Sequence, residues 1–513
     1  MIFAAYINPK ERTPIVQIPR KVLIIGNIAN NGFLAGQALN KSGFDVDVLC
    51  DDYFHCMAYP EWESQYLLLE PSLQTKISRE KLEIHSNVYK RPNWFAQGLR
   101  VDAVEYLIAK RKNLVTDSER LWIKLIDQSF PNQEHNSQEI ASDSASRKYN
   151  ILKFSFPKLW RIVVNLISRF FTRAVNVLGR KLFYSADRYS HLVDLLVPDI
   201  FLRPLIVKFY GKDICSRIEE LCTHYDEVVL FGPSALWAYL IPNQEFSFLE
   251  HGTVRYASER SDLLSIVLHR VYLNSKAILI TNGDIFSSPQ LLPKATMIPT
   301  VHPIVWFEES PEELGDEFLL REWQPWDRIR NKKFLFSPVR QDWKVKGVNF
   351  YLQNLKIIVG EFPELEFVFT NWGADLDAAK EMVNSFHLID RVHWIDTMSR
   401  PVLATIALKS TLVLDQMALP HFGSTAPQVL SLGVPVCSSY DPKSTKEIAL
   451  EPAPILPVSN IEDLLLHIHN LSSENKRMEY SISAIKWIQK WHNEVRVVGD
   501  FKELFKAMKG DYV

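Results

Sequence analysis

The sequence predicts an α/β fold built from two doubly wound parallel-sheet domains. Short apolar runs recur in both halves, each followed by a turn bearing Gly, Ser or Asn and then by residues at helical spacing. That alternation is the pattern of a parallel sheet covered on both faces. The rhythm breaks for a long stretch in the first half and restarts after residue 330. A chain of 513 residues also exceeds what one hydrophobic core supports.

The first strand is Lys21–Gly26, a continuous β-branched run suited to a buried parallel strand. The turn from Asn27 to Gly32, helical spacing from Phe33 to Leu39, Ser42-Gly43 and a second strand Val46–Cys50 complete a βαβ unit. Gly26 and Gly32 do not form Gly-x-Gly-x-x-Gly, so a nicotinamide cofactor is not indicated. Asp51 and Asp52 could hold ribose hydroxyls or merely end a solvated strand. Residues 53–130 are mixed and aromatic-rich, and 131–146 are polar and aperiodic. From Arg147 to Lys181 nine Lys or Arg, and no acid, interleave with Trp160, Phe170 and other apolar residues. Such a segment suits either an anionic membrane surface or a helix packed on its own domain with a basic outer face. Strands then follow at 228–232, 246–255, 277–284 and 296–304.

Residues 306–330 carry no strand signal and read as a linker. Beyond it, strands are expected at 333–337, 366–370, 392–395, 412–414 and 434–437, with a short closing strand within 454–458. Helices are expected at 461–471, 476–491 and 498–506. The stretch Phe422–Val436 is the most informative. It reads as a glycine turn at Gly423, two hydroxyl residues (Ser424 and Thr425) able to cap a helix, a short apolar helix, a stop at Gly433 and a strand. A helix start of this kind can receive a phosphate.

Net charge is −2, so no global electrostatic argument points to nucleic acid. The five cysteines are scattered without a zinc pattern, which suits reduced thiols in a cytoplasmic protein. No signal sequence is evident, and no run reaches the roughly 18 to 20 apolar residues of a spanning helix. Asp375-Leu376-Asp377 spells a metal-binding Asp-x-Asp, but its place before a helix suggests capping, and no metal ligand is assigned.

Four places carry a resemblance to a known family: Ile28–Gly32, Glu250-His251-Gly252, Phe336–Arg340 followed by Lys346-Gly347, and Asp415-Gln416 with Phe422-Gly423 and Leu432–Val436. Together they resemble the GT-B glycosyltransferases, most closely the retaining family-4 type. The resemblance implies two Rossmann-like domains: a first domain at 1–306, a linker at 307–330, a nucleotide-sugar domain at 331–490, and a C-terminal segment 491–513 packing back on the first domain. It implies transfer of a sugar from a nucleotide-diphosphate donor to a glycan or lipid-linked acceptor, in polysaccharide or glycolipid synthesis, with no separate cofactor. Arg340 and Lys346 would neutralise the leaving diphosphate, and His251 would sit beside the transferred sugar. Gly32, Asp415, Gly423, Ser424 and Thr425 would line the donor, and Gln428 would approach the ribose. The family often has two glutamates where this chain has Pro420 and Gln428. The basic segment would hold the enzyme peripherally on the inner membrane face. Two alternatives stay open: a sugar-nucleotide epimerase of the same fold, and a non-catalytic scaffold or glycan-binding subunit that keeps it.

Overall fold

A computed structural model describes residues 20–51, 53–70, 77, 91–130, 199–252, 263–286, 292, 294–307, 310–446 and 448–510. The basic segment 147–181, Asp52 and Arg255 lie outside these residues.

The two apolar rhythms become two parallel sheets. The first has seven strands: β1 (Lys21–Ile25), β2 (Asp45–Asp51), β4 (Phe95–Gly98), β5 (Glu227–Phe231), β6 (Ser247–Glu250), β7 (Ala277–Ile280) and β8 (Thr296–Pro299). Their order is β4-β2-β1-β5-β6-β7-β8, with Val22 beside Val46 on one flank and Glu227 on the other. The second holds β9 (Phe334–Ser337), β10 (Glu366–Thr370), β11 (Val392–Ile395), β13 (Leu412–Leu414), β14 (Val436–Ser438) and β15 (Leu456–Pro457), in the order β11-β10-β9-β13-β14-β15. Strands such as Lys21–Ile25 and Phe334–Ser337 are almost wholly buried, as helices on both sheet faces require. The doubly wound fold class read from the sequence is therefore the observed one. Among the described residues, no helix is long and apolar enough to cross a membrane.

In each sheet the chain winds outward in one direction, returns to the middle and winds outward in the other. The reversal falls between β1 and β5 in the first domain and between β9 and β13 in the second. Loops at the carboxyl ends of such strands part there and leave a crevice. Gly32, Arg340 and Asp415 all follow one of these central strands.

Several elements were not legible in the chain. Strand β4 pairs with β2, and residues 306–330 contain the helices Glu312–Glu322 and Pro325–Ile329. That stretch is more than a linker: Phe318, Leu319, Trp326 and Ile329 are buried in the second domain's core with Phe334 and Val413. The terminal helix Glu494–Lys509 crosses to the first domain, where Val497, Phe501 and Phe505 share a core with Val22 and Ile24.

The domains are joined on two sides. A two-stranded antiparallel ribbon pairs β3 (Leu68–Leu69) of the first domain with β12 (Thr397–Met398) of the second. Ser399 extends it, its N–H donating to Leu67 O and its Oγ accepting from Leu67 N, each at 3.0 Å. On the other side Gly283 lies so close to the second domain that a Cβ there would fall 1.6 Å from the Ser444 carbonyl oxygen. Gly283→Ala should therefore push the domains apart and cost about 1–3 kcal/mol. Calorimetry and small-angle scattering would show a lower melting temperature and a larger radius of gyration; unchanged values would refute the tight apposition.

Candidate functional site

Arg340 lies just beyond β9 and is 37% exposed, its guanidinium 3.2 Å from Asp342 and within cation–π distance of Trp372. Burial, then the charge of Arg340, hold the imidazole of His55 in the first domain below its usual range. Lys346 ends the turn Trp343–Lys346 and donates from Nζ to Gln416 Oε1 at 2.8 Å. Gly347 takes the left-handed conformation (φ 67°), and its backbone packs where a side chain would strike Met417 and Ala418. Asp415 is buried, with Oδ2 unpartnered among the described residues. Burial raises its pKa, against the lowering effect of Lys346. The carboxylate thus supports the Lys346 end of the site.

The helix Thr425–Ser431 forms after Ser424 and ends at Gly433 (φ 72°), so the glycine stop is real. The cap is not formed by the side chain expected. Ser424 has helical backbone angles and no capping bond; its Oγ instead accepts from Arg400 Nη2 at 3.3 Å. Gly423, read as a glycine turn, does not have a left-handed backbone. At just seven residues the helix is short, and side chains outweigh its dipole here.

Gln428 departs furthest from expectation. It is buried, its Oε1 accepts from Val305 N at 3.0 Å, and its Nε2 donates to Val305 O at 2.9 Å. The amide brackets the interdomain chain, so a ribose contact finds no support in this arrangement. Asp375 also departs. Its side chain does not cap the helix it precedes, and its Oδ2 accepts from Trp343 N at 2.7 Å. Asp51 pairs with Arg100 at 2.5 Å. Among the described residues, no group of three or more His, Cys, Asp or Glu is placed to hold a metal. All five cysteines are buried and unpaired as disulfides.

His251 follows β6. Its Nδ1 is 2.7 Å from Thr281 Oγ1, and its ring stacks on His302 at 4.7 Å and meets the edge of Phe231. The Thr281 hydroxyl also lies within bonding distance of Asn282 Oδ1 at 2.8 Å and of Glu250 O at 3.2 Å. His251 Nε2 is enclosed and has no hydrogen-bond partner among the described residues, and Nδ1 protonation would make it an acceptor. Glu250 does not orient this ring: its Oε2 accepts from Tyr272 at 2.6 Å. The same threonine also reaches the second domain, its carbonyl lying 3.2 Å from His421 Nε2. His421 directly precedes Phe422-Gly423-Ser424, and its carbonyl accepts from Gln416 Nε2, the amide that also holds Lys346. The candidates Lys346, Ser424 and His251 are thus tied together by bonds through Gln416, His421 and Thr281. Gly32 supports this from the first domain: a Cβ there would strike the Gly26 carbonyl at 2.3 Å, so the helix Asn31–Lys41 starts hard against its strand.

Sequence reasoning missed the histidine cluster around this junction. His302 and His492 are buried; His492 Nδ1 is 3.1 Å from His302 O, and its ring packs on Trp487. The residues lie far apart in the chain and share no spacing. Burial lowers His251 to about 3 and His492 to about 4, and His302 falls well below the ordinary range through burial and then the neighbouring imidazoles.

No family model matches this chain, and no curated protein does. Among solved structures it is similar to a sucrose-phosphate synthase from Thermosynechococcus elongatus (10% identity, 96% of this chain and 100% of that one, TM-score 0.47). It is also similar to a glycosyltransferase from Rickettsia africae ESF-5 (11%, 96% and 100%, 0.47) and to HepE from Anabaena in complex with UDP-glucose (11%, 57% and 82%, 0.43). Likeness at this distance leaves the functional reading to this chain's own residues.

The imidazoles give a pH prediction. The unfolded chain takes protons on these histidines near 6.5, whereas the folded chain holds His251 and His492 neutral down to about 3 and 4. The unfolded state therefore binds more protons between, and stability falls with pH below about 6.5, by up to about 1.4 kcal/mol per pH unit for each histidine. Melting temperature should drop steadily from pH 7 to pH 5, less steeply in His302→Asn. A profile identical in that variant would count against the cluster as the cause.

Proposed function

We propose that this chain is a glycosyltransferase of the GT-B type, moving a sugar from a nucleotide-diphosphate donor to a glycan or lipid-linked acceptor with retention of configuration. The supporting observation is the bonded path from Lys346 through Gln416, His421 and Thr281 to His251. It links the two domains, with a cation at one end and an unpartnered imidazole nitrogen at the other.

Breaking a sugar–diphosphate bond leaves negative charge on the departing phosphate. Groups placed at that charge stabilise the transition state more than the ground state. Arg340 and Lys346 are the cations assigned this work, with Asp415 and Gln416 orienting Lys346. Ser424 and Thr425 offer hydroxyls to the phosphates. His251 Nε2, an acceptor when the neutral ring carries its proton on Nδ1, would accept a hydrogen bond from a hydroxyl of the transferred sugar and fix its orientation. Neutral histidine suits that role, because a cation there would oppose charge developing on the sugar.

A second reading, a non-catalytic scaffold or glycan-binding subunit, is favoured by one observation: Gln428, at a position where the family often carries an acid, is committed to Val305. Thermal shift against UDP-, GDP- and ADP-sugars separates the two. An enzyme is stabilised by one donor, and Arg340→Ala and Lys346→Ala each weaken its binding about tenfold or more, as expected for charge-assisted contacts. Silence across the panel would favour the scaffold.

We also propose peripheral contact with the inner membrane face through residues 147–181, on their charge and aromatic content alone. Vesicles containing anionic lipid should retain the protein at low salt, and less of it at high salt or after deletion of 147–181. Retention indifferent to the deletion would refute it.

A further inference from the structure

Arg400 was not a sequence candidate, yet its side chain meets groups of both domains. It opens the helix Arg400–Lys409 directly after the interdomain ribbon, and its side chain is 14% exposed. Nη2 donates to Ser424 Oγ at 3.3 Å, and Nε faces Glu63 Oε2 at 3.5 Å. Lys346 approaches the same Phe422–Thr425 turn from its other end, through Gln416 and the His421 carbonyl. The turn is therefore flanked by two cations of its own domain.

Glu63 comes from the opposite domain and is buried. Its Oε1 accepts from Asn30 Nδ2 at 2.8 Å, while Oε2, among the described residues, has only the long contact with Arg400. Asn30 and Ala29 both stand in the left-handed region, at φ 55° and 49°. Two successive non-glycine residues in that region store strain that the surroundings must hold. Asn27 does part of this, donating from Nδ2 to Asn30 Oδ1 at 2.9 Å. A strained loop of the first domain thus positions a carboxylate against a guanidinium and a hydroxyl of the second. One carboxylate oxygen is left poorly satisfied in a buried place, which is unfavourable. A guanidinium that receives a carboxylate receives a phosphate by the same fork geometry.

We propose that Arg400 is a further donor-phosphate ligand, and that Glu63 occupies it as an internal stand-in anion when no nucleotide is bound. This rests on the donor-site reading above. An incoming diphosphate takes over Arg400 and Ser424, displaces Glu63 and lets the Ala29-Asn30 loop relax. Donor binding is thereby coupled to release of an ion pair between the domains. Two opposite effects follow: removing Arg400 weakens binding, and removing the charge of Glu63 strengthens it.

The experiment is calorimetric titration of the full chain with UDP, with GDP and with inorganic pyrophosphate. In whichever probe binds, Arg400→Ala should weaken affinity about tenfold, Arg400→Lys less, and Glu63→Gln should tighten it about three- to tenfold. Equal affinity in Arg400→Ala, while Arg340→Ala and Lys346→Ala still lose binding, overturns this inference and leaves the donor site standing. Weakening by Glu63→Gln as well as Arg400→Ala assigns both residues to the domain joint alone and also overturns it. If the unaltered chain binds none of the three probes, the donor-site reading itself fails. Glu63→Gln is nearly isosteric, so it remains informative where Arg400→Ala does not fold.

Discussion

The structure depends on how closely its two domains are held at the crevice. A glycosyl-transfer site of the kind proposed takes groups from both sheets, and each sheet alone presents only loops at its carboxyl edge. Three contacts set the spacing: the ribbon of Leu68–Leu69 with Thr397–Met398, the backbone bracket of Gln428 on Val305, and the near-contact of Gly283 with Ser444. None belongs to either sheet core; across the joint they hold, Thr281 bonds His251 of its own domain and His421 of the other.

The junction is made of groups that are costly to bury. Imidazoles of His251, His302 and His492 lie close together with ring nitrogens unpartnered, and Glu63 and Asp415 are carboxylates with one oxygen each poorly satisfied. Hydrophobic packing would make a tighter joint. Polar groups that gain more from a ligand than from each other make one that responds to binding. The terminal helix and the Trp487–His492 stack close the joint from behind.

The two cores were readable because burial on both sheet faces forces continuous apolar runs, as in Val22–Ile25 and Phe334–Phe336. The glycine stop at Gly433 was readable because only a left-handed residue ends a helix that way. Strand Phe95–Gly98 was missed since three of its four residues are Ala, Gln and Gly, with little propensity to announce it. The helices after Trp306 were missed because acidic residues mask Phe318 and Trp326, which face the core.

By itself the sequence determined two parallel sheets, the positions of their central strands, and thereby which loops could line a crevice. Those are consequences of period and burial, which act locally along the chain. The tertiary structure decided what each polar residue does. Gln428 and Ser424 have the chemistry of ligand-binding groups, yet one brackets the Val305 backbone and the other holds Arg400. Glu63, Arg400 and His492 carried no signal, because a contact between residues hundreds of positions apart leaves no pattern in either neighbourhood. Spacing along the chain reports faces and turns; partners across a domain joint are chosen only when both domains have closed around them.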